Sequence, residues 1–445
     1  MFDVKNKKII VVGLGLSGRA AAQLLSERGA EVKVTESAEH EKVQKHLDAL
    51  TGCSIEFELG RHTEEFCKDA YMVVTSPGVD PEALPLTVAR SRNIPIIGEL
   101  ELGYLFCCAP VIAITGTNGK STTTELIGDI LACSGKHTIV CGNIGNPLSG
   151  EVDKLTEDSV AVVEVSSFQL ETIKDFRPYI GVLLNVSEDH YERHGNLDAY
   201  KMEKFKIFRN QASDDWAVLH SDFQKDSMAS QVKSRTVFFG QKDSMVLAED
   251  GRVVADAGKF ILEECDIPLK GIHNMENVAC AVLVSKIMGV TEENIREGIS
   301  AFRALHHRFE KVAEFEGVEF IDDSKATNID ATRRALESMN KKVVLIAGGR
   351  DKGGDYRSIL PLIKEKVKTV VVIGEASSNI TSAFGETIPV VSADSMSDAV
   401  EVSMQTANSG EAVMLSPMCS SFDMYTDYKH RGKVFQQEVR KLTGQ

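Results

Sequence analysis

Lys120 and Ser121 stand where a nucleotide-binding chain needs them. They close the run Ala113-Ile-Thr-Gly-Thr-Asn-Gly-Lys-Ser-Thr-Thr-Thr124, in which a glycine-containing turn separates an apolar strand, Val111-Ile-Ala-Ile114, from a helix over Thr122 to Leu131. That order suits a triphosphate. Backbone N–H groups converge on the phosphates, a lysine meets the β/γ oxygens, and a hydroxyl at the helix N-terminus is placed to hold Mg²⁺. A tight turn with a stray lysine is the bland alternative. The loop is a variant, because Ile114 occupies the first-glycine position of the strict pattern and Gly116 is its nearest substitute.

Four further groups could do chemistry. Glu164 ends the apolar run Val160-Ala-Val-Val-Glu164 and is placed like a metal-holding acid beside a nucleotide; a paired structural acid is the alternative. His190 closes Asn185-Val-Ser-Glu-Asp-His190. With His194 four residues on it has helical zinc spacing, yet both follow a strand end without nearby cysteines, which favours a Mg²⁺-assisted role for His190 over zinc or a plain loop histidine. His306-His-Arg-Phe-Glu310 offers an arginine at a boundary, for transferred phosphate or as a solvated hinge. Asp322-Asp-Ser-Lys-Ala-Thr-Asn328 combines acid, lysine and hydroxyls in one turn, suited to phosphate or carboxylate recognition or to a helix N-cap.

Near the N-terminus, Gly13-x-Gly15-x-x-Gly18 follows the strand Lys8-Ile-Ile-Val-Val12, and Glu36 stands near the position of a ribose-binding acid. Alone this pattern suggests NAD, but such a loop cradles any diphosphate. Ser76-Pro-Gly78, at the end of the strand Ala70 to Thr75, either completes that pocket or is a simple turn.

These groups need three α/β units to position them. The first alternates strand and helix up to a bridging helix, Glu99-Leu-Glu-Leu-Gly-Tyr-Leu-Phe106. The second adds strands Val160 to Glu164 and Ile180 to Asn185, then an antiparallel annex from about Trp216 to Leu269, and a helix opened by Gly271-Ile-His-Asn-Met-Glu-Asn277. The third, from about Leu305, has strands Val318 to Ile321, Lys342 to Ala347, Thr369 to Ile373 and Ala412 to Leu415. The expected boundaries are 1–97, 98–304 and 305–445.

Composition agrees. The chain has 445 residues, 43% of them hydrophobic, enough for about three domains of ordinary size. A net charge of -15 argues against sequence-independent nucleic-acid binding. The nine cysteines form no CxxC pair and read as reduced thiols. Without a signal-peptide pattern or a membrane-length apolar run, a soluble cytoplasmic protein is expected.

Taken together, the motifs resemble the Mur ligases, ATP-dependent amide-forming enzymes of peptidoglycan synthesis. The resemblance spans the chain and rests on Thr115-Gly-Thr-Asn-Gly-Lys-Ser-Thr122, Glu164, Asn185 to His190, Gly271-Ile-His-Asn274, His307-Arg308 and Asp323-Ser-Lys325, in family order. The opening Gly13 to Gly18, Glu164-Val-Ser-Ser-Phe-Gln-Leu170 and Leu415-Ser-Pro-Met-Cys-Ser-Ser-Phe-Asp423 are similar to the D-glutamate-adding branch. Tyr428 replaces an expected phenylalanine, and Glu36 a common aspartate.

The resemblance implies a Rossmann-like first domain, a central ATPase-like domain and a Rossmann-like third domain. It implies UDP-N-acetylmuramoyl-L-alanine, D-glutamate and ATP as substrates, with two Mg²⁺. Gly116, Thr117, Asn118, Gly119, Lys120, Ser121, Thr122, Asn274, Asn277, Arg308 and Asp323 would bind ATP. Gly15, Leu16, Ser17, Glu36, Ser76, Gly78, Asn143 and His190 would hold the uridine-linked substrate, and Lys325, Thr327, Lys352, Ser421 and Phe422 the amino acid. Lys120, Glu164, His190 and Lys204 would be catalytic. Ser121, Glu164, His190 and Lys204, the last as a carbamate, would serve the metals. A monomer is expected. A related ligase of the folylpolyglutamate-synthetase type and a non-catalytic nucleotide-binding regulator are the alternatives. The separate N-terminal fingerprint domain disfavours the first, and the joint presence of Lys120, Ser121, Glu164 and His190 the second.

Overall fold

A computed structural model describes residues 2–241, 243–249, 251–269, 271–303 and 305–444; position 304, where one expected domain ends, and positions 1 and 445 lie outside them. Among the described residues the architecture is α/β with three sheets. Apolar runs form the inner strands because parallel strands covered on both faces bury every side chain. All five residues of Val111–Thr115, Val160–Glu164 and Ala412–Leu415's four are buried.

The first sheet has five parallel strands. Lys8–Val12 pairs Glu31–Glu36 on one side and Met72–Thr75 on the other, so the strand order reverses at its carboxyl end, beside Gly13. Ligands bind open α/β sheets at such reversals. Helix Glu99–Phe106 then leads into the second sheet, as expected. Two buried glutamates fasten it. Glu99 accepts the Ser149 N–H at 2.8 Å, and Glu101 accepts those of Lys174, Asp175 and Phe176 at 2.7 to 3.1 Å. One apolar core runs from Val11 and Val34 to Val163 and Phe176, joining the first sheet to one face of the second.

The second sheet has nine strands, with Val111–Thr115 between Val160–Glu164 and Ile180–Leu183. The antiparallel annex is smaller than the sequence suggests. Trp216–His220 and Arg235–Gly240 pair in parallel and extend the main sheet, and among the described residues antiparallel pairing in this sheet is confined to its edge, where Arg252–Ala255 runs against both Val246–Glu249 and Phe260–Glu263. Short strands separated by turns carry no sign of their direction, which depends on the crossover between them.

The third sheet has six strands, parallel except for the edge strand Glu310–Phe315. Helix Ile329–Glu337 is capped by Asn328, whose Oδ1 accepts the Ala331 N–H at 2.8 Å, and it lies against the second sheet's phosphate loop through its first turn. Among the described residues, no helix is long and apolar enough to cross a membrane.

Candidate active site

The phosphate loop connects Val111–Thr115 to helix Lys120–Cys133. Gly119 caps that helix in the left-handed region (φ 85), and a Cβ there would lie 2.4 Å from Asn277 Oδ1, so only glycine fits. Asn277 also accepts the Thr123 hydroxyl at 3.2 Å and donates to Asn274 at 3.2 Å. Both asparagines, expected at the nucleotide, thus also buttress the loop; Asn277 faces the cavity, whereas Asn274 is buried behind it.

Two cavities meet at the loop. One, of about 210 Å³, is lined by Thr117 to Ser121, Glu164, Asn277, Arg308 and Asp323. The other, of about 930 Å³, is lined by Lys204, Phe168, Lys352, Ser421 and Phe422. Lys120, Asn143, His190, Lys325 and Thr327 face both. Residues predicted for the nucleotide, for the amino acid and for catalysis are therefore gathered around one junction.

Lys120 donates to the carbonyls of Gly116 and Thr117 at 2.9 and 2.8 Å, folded back over its own loop. Lys204 is 1% exposed and donates to the same Gly116 carbonyl at 2.8 Å, with the Tyr200 ring 4.3 Å from its ammonium. Burial, and then the neighbouring Lys120 charge, hold its pKa well below the usual lysine value. Lys201 and Lys206, on the same segment, pair with Asp226 and Glu203 at the helix surface. Position, not sequence context, sets Lys204 apart.

Glu164 is 1% exposed. Its Oε1 accepts the Asn143 amide at 2.8 Å, and its Oε2 is buried with no hydrogen-bond partner among the described residues. A carboxylate oxygen in that state is costly unless a cation or donor arrives. Ser121 sits at the helix start beside the same cavity, and the Thr122 side chain is buried behind it. His190 is itself left-handed (φ 54), caps the short helix Tyr191–His194, and packs edge-on against Phe168. Such backbone costs about 1 kcal/mol or more and persists where neighbours over-determine it.

From the third sheet, Arg308 reaches the smaller cavity, its Nε buried without a hydrogen-bond partner among the described residues. Left-handed His307 and Phe309 flank it (φ 62 and 49), and His307 Nδ1 is anchored 2.7 Å from Asp322. The motif is a positioned turn, not a solvated hinge. Burial raises the Asp323 pKa to about 7 against the pull of Ser416 and Arg308. Lys325 lies under the Tyr428 ring, 4.1 Å from its centre, and burial lowers its pKa to about 8. Ser421 is buried while Phe422 is 64% exposed at the cavity mouth.

The first-sheet residues stand apart from both cavities, and of them Ser76 lines a third cavity of about 140 Å³. Gly15, Leu16, Ser17, Glu36, Ser76 and Gly78 line neither of the first two. Glu36 accepts the Leu14 N–H at 2.6 Å and the Ala38 N–H at 2.8 Å, so it fastens the fingerprint turn whatever it does to a ribose. The Ser76 hydroxyl reaches Gly13 O at 3.3 Å. Asn143 and His190, assigned to the same substrate, stand instead at the junction of the cavities.

Two residues given no role by the sequence are prominent here. Asp189 pairs with Lys352 at 3.0 Å and accepts from Asn328 at 3.1 Å. Arg431 is fully buried and ties the Ser324 turn to the Cys419 carbonyl, holding together two loops that line the larger cavity. Asp189 lay inside a recognised motif; Arg431 had no local signal.

Comparison with known proteins identifies the family. The chain matches a Mur ligase MurD-like N-terminal domain over residues 7–98, the Mur ligase middle domain over 114–285 and the Mur ligase glutamate ligase domain over 307–419. The chain belongs to the Mur ligase family. It is 42% identical over 450 residues to a UDP-N-acetylmuramoylalanine–D-glutamate ligase of Koribacter versatilis, covering 100% of this chain and 99% of that protein. It is likewise 42% identical over 447 residues to the ligase of the same name from Desulfosudis oleivorans, covering 99% and 97%. In fold it is similar to a MurF ligase from Thermotoga maritima in complex with ADP, with a TM-score of 0.64 at 16% identity over 99% of this chain and 100% of that one.

Proposed function

We propose that this chain is an ATP-dependent ligase that adds D-glutamate to UDP-N-acetylmuramoyl-L-alanine, giving ADP and phosphate, in the cytoplasmic synthesis of peptidoglycan precursor. The observation that carries this reading is the junction of the two cavities at Lys120, Asn143, His190, Lys325 and Thr327. A nucleotide in one and an amino acid in the other would meet there. In this reading residues 1–97 hold the uridine-linked substrate, 98–304 the ATP, and 305–445 the amino acid, within a monomer.

A carboxylate does not react with an amine unaided. The terminal carboxylate of the muramoyl-alanine would first attack the γ-phosphorus, the bond to the β-phosphate oxygen breaking to release ADP. Lys120, freed from its loop carbonyls, would follow the charge on the moving phosphoryl group, and Arg308 would meet it from the third sheet. Catalysis of this step is largely electrostatic. The amine of D-glutamate would then attack the acyl carbon; the carbon–oxygen bond to phosphate breaks, and the amine loses a proton. Lys325, Thr327, Lys352 and Ser421 would hold the glutamate carboxylates, with Phe422 closing the mouth. Gly15, Leu16, Ser17, Glu36, Ser76 and Gly78 would hold the uridine nucleotide, and Asn277 and Asp323 the ATP nucleoside, with Asn274 acting through its hydrogen bond to Asn277.

The residues fit Mg²⁺, because a buried carboxylate whose second oxygen has no hydrogen-bond partner among the described residues shares a cavity with a helix-start hydroxyl, an all-oxygen set suited to a hard cation. Ser121 and Glu164 would hold one ion, and His190 with a carbamate on Lys204 a second. When bound, the metal neutralises phosphate charge.

Phosphate release from ATP, measured with UDP-N-acetylmuramoyl-L-alanine and screened over single amino acids, tests the reading. Release with D-glutamate and little with L-glutamate or glycine is expected. Release that needs no muramoyl substrate, or that prefers another amino acid, overturns it.

A further inference from the structure

Asn118 lies in the phosphate loop, but its side chain is used elsewhere. Its main chain is already fixed within the second sheet. The Asn185 carboxamide accepts the Asn118 N–H at 2.9 Å and donates to the Asn118 carbonyl at 3.1 Å. The Asn118 carboxamide then crosses to the third sheet. Its Nδ2 donates to Asp330 Oδ2 at 2.7 Å, and its Oδ1 accepts from Asn328 Nδ2 at 3.3 Å.

Both partners belong to the start of helix Ile329–Glu337, and both are held for the purpose. Asn328 spends its Oδ1 on the helix cap, which leaves Nδ2 pointing at Asn118 and Asp189. Asp330 is 8% exposed and also accepts the Ser187 hydroxyl at 3.0 Å and Arg334 Nε at 3.2 Å. Arg334 in turn reaches Glu276, 3.5 Å away on the helix that buttresses the loop. Although burial opposes it, Arg334 and Arg333 keep the Asp330 carboxyl below its usual pKa, so it stays an acceptor. Donor therefore meets acceptor at both ends of one amide.

We propose that Asn118 is a clasp through which Asn328 and Asp330 position the phosphate loop, so that docking of the third sheet and occupancy of the loop by a nucleoside phosphate favour one another. This deepens the ligase reading and rests on it. The coupling is reciprocal: a nucleotide that orders the loop presents Asn118 to the third sheet, and a docked third sheet holds the loop open to nucleotide. Asn118, Asn328 and Asp330 are positioning residues here, acting through the loop backbone.

The test is a double-mutant cycle in the full-length protein, with ADP and Mg²⁺ as the calorimetric probe. Asn118→Asp sets two carboxylates against each other and should weaken ADP about tenfold, the order of a lost hydrogen bond to a charged group. Adding Asp330→Asn restores a donor–acceptor pair in reversed sense and should recover most of that loss. Losses that simply multiply would overturn the clasp. Should Asn118→Asp fail to fold, Asn118→Ala combined with Asp330→Ala serves instead, the second change expected to cost little once the first is made, and independent losses again being fatal. Hydrogen exchange in residues 329–337 without nucleotide separates the two readings. A wild type that binds no ADP would overturn the ligase assignment, yet Asn118→Asp must still speed exchange in that helix several-fold; unchanged exchange would overturn the clasp.

Discussion

Lys120 and Lys204 donate to one carbonyl oxygen, that of Gly116, at 2.9 and 2.8 Å. Two ammonium groups on one acceptor in a buried pocket repel each other, and burial raises the cost. Burial and then the Lys120 charge hold the Lys204 pKa well below the usual lysine value, which favours the free amine, the form that reacts with carbon dioxide. A carbamate on Lys204 would turn the repulsion into attraction and supply an oxygen anion. Lys204→Ala should lose nearly all ligation and regain part of it with added short-chain carboxylates. A carbamate carbon signal should appear after carbon-13 bicarbonate labelling of the wild type and vanish in the variant. Full activity of Lys204→Ala would end the idea.

Lys120→Ala should cut turnover by about a thousandfold, comparable to losing a strong electrostatic contact to a transition state. Its ammonium donates to the carbonyls of its own loop and, among the described residues, to no group of the surrounding sheet or helices that the fold depends on. The variant should therefore melt close to the wild type. Thermal melting alongside phosphate release checks both halves, and a well-folded variant with ordinary turnover would remove the loop from the chemistry.

Gly15 and Gly18 share one fingerprint and should fail differently. A Cβ on Gly15 meets nothing within 4 Å, whereas one on Gly18 would lie 1.8 Å from the Gly13 carbonyl. Gly15→Ala should keep stability to within about 1 kcal/mol and weaken UDP binding, because it fills the space left for the diphosphate. Gly18→Ala should cost about 1–3 kcal/mol of stability, since backbone must move. Melting and calorimetry with UDP decide, with NAD as the control that should give no heat. Strong NAD binding without a UDP signal would reverse the assignment of this domain.

The inner strands were legible because burial on both faces writes them as unbroken apolar runs, and the phosphate loop because its chemistry fixes spacing within a dozen residues. Strand direction in Trp216–His220 and Arg235–Gly240 was not, since pairing depends on partners far along the chain. The same holds for the contacts between sheets. Asn118 meets Asp330 across 212 positions, and Lys352 meets Asp189 across 163. Local pattern identifies such side chains as polar and no more. Glu36 shows the converse: its place in the fingerprint was legible, but its hold on Leu14 and Ala38 is set by how the turn closes.

Lys325 should give amino-acid binding an alkaline limit. Burial lowers its pKa to about 8, so the unliganded site carries this charge below pH 8 and loses it above. A bound carboxylate needs the charge, and binding should therefore weaken as pH rises through 8. Turnover with D-glutamate would blur this, because the incoming amine must itself lose a proton at high pH. Glutarate, a dicarboxylate without the amine, isolates the effect. Its inhibition constant should rise by up to about tenfold between pH 7 and 9 if the full interaction depends on the lysine charge. In Lys325→Arg, whose guanidinium stays charged throughout, the constant should be flat over that range. A flat wild-type profile, or an equal rise in Lys325→Arg, would place the carboxylate elsewhere.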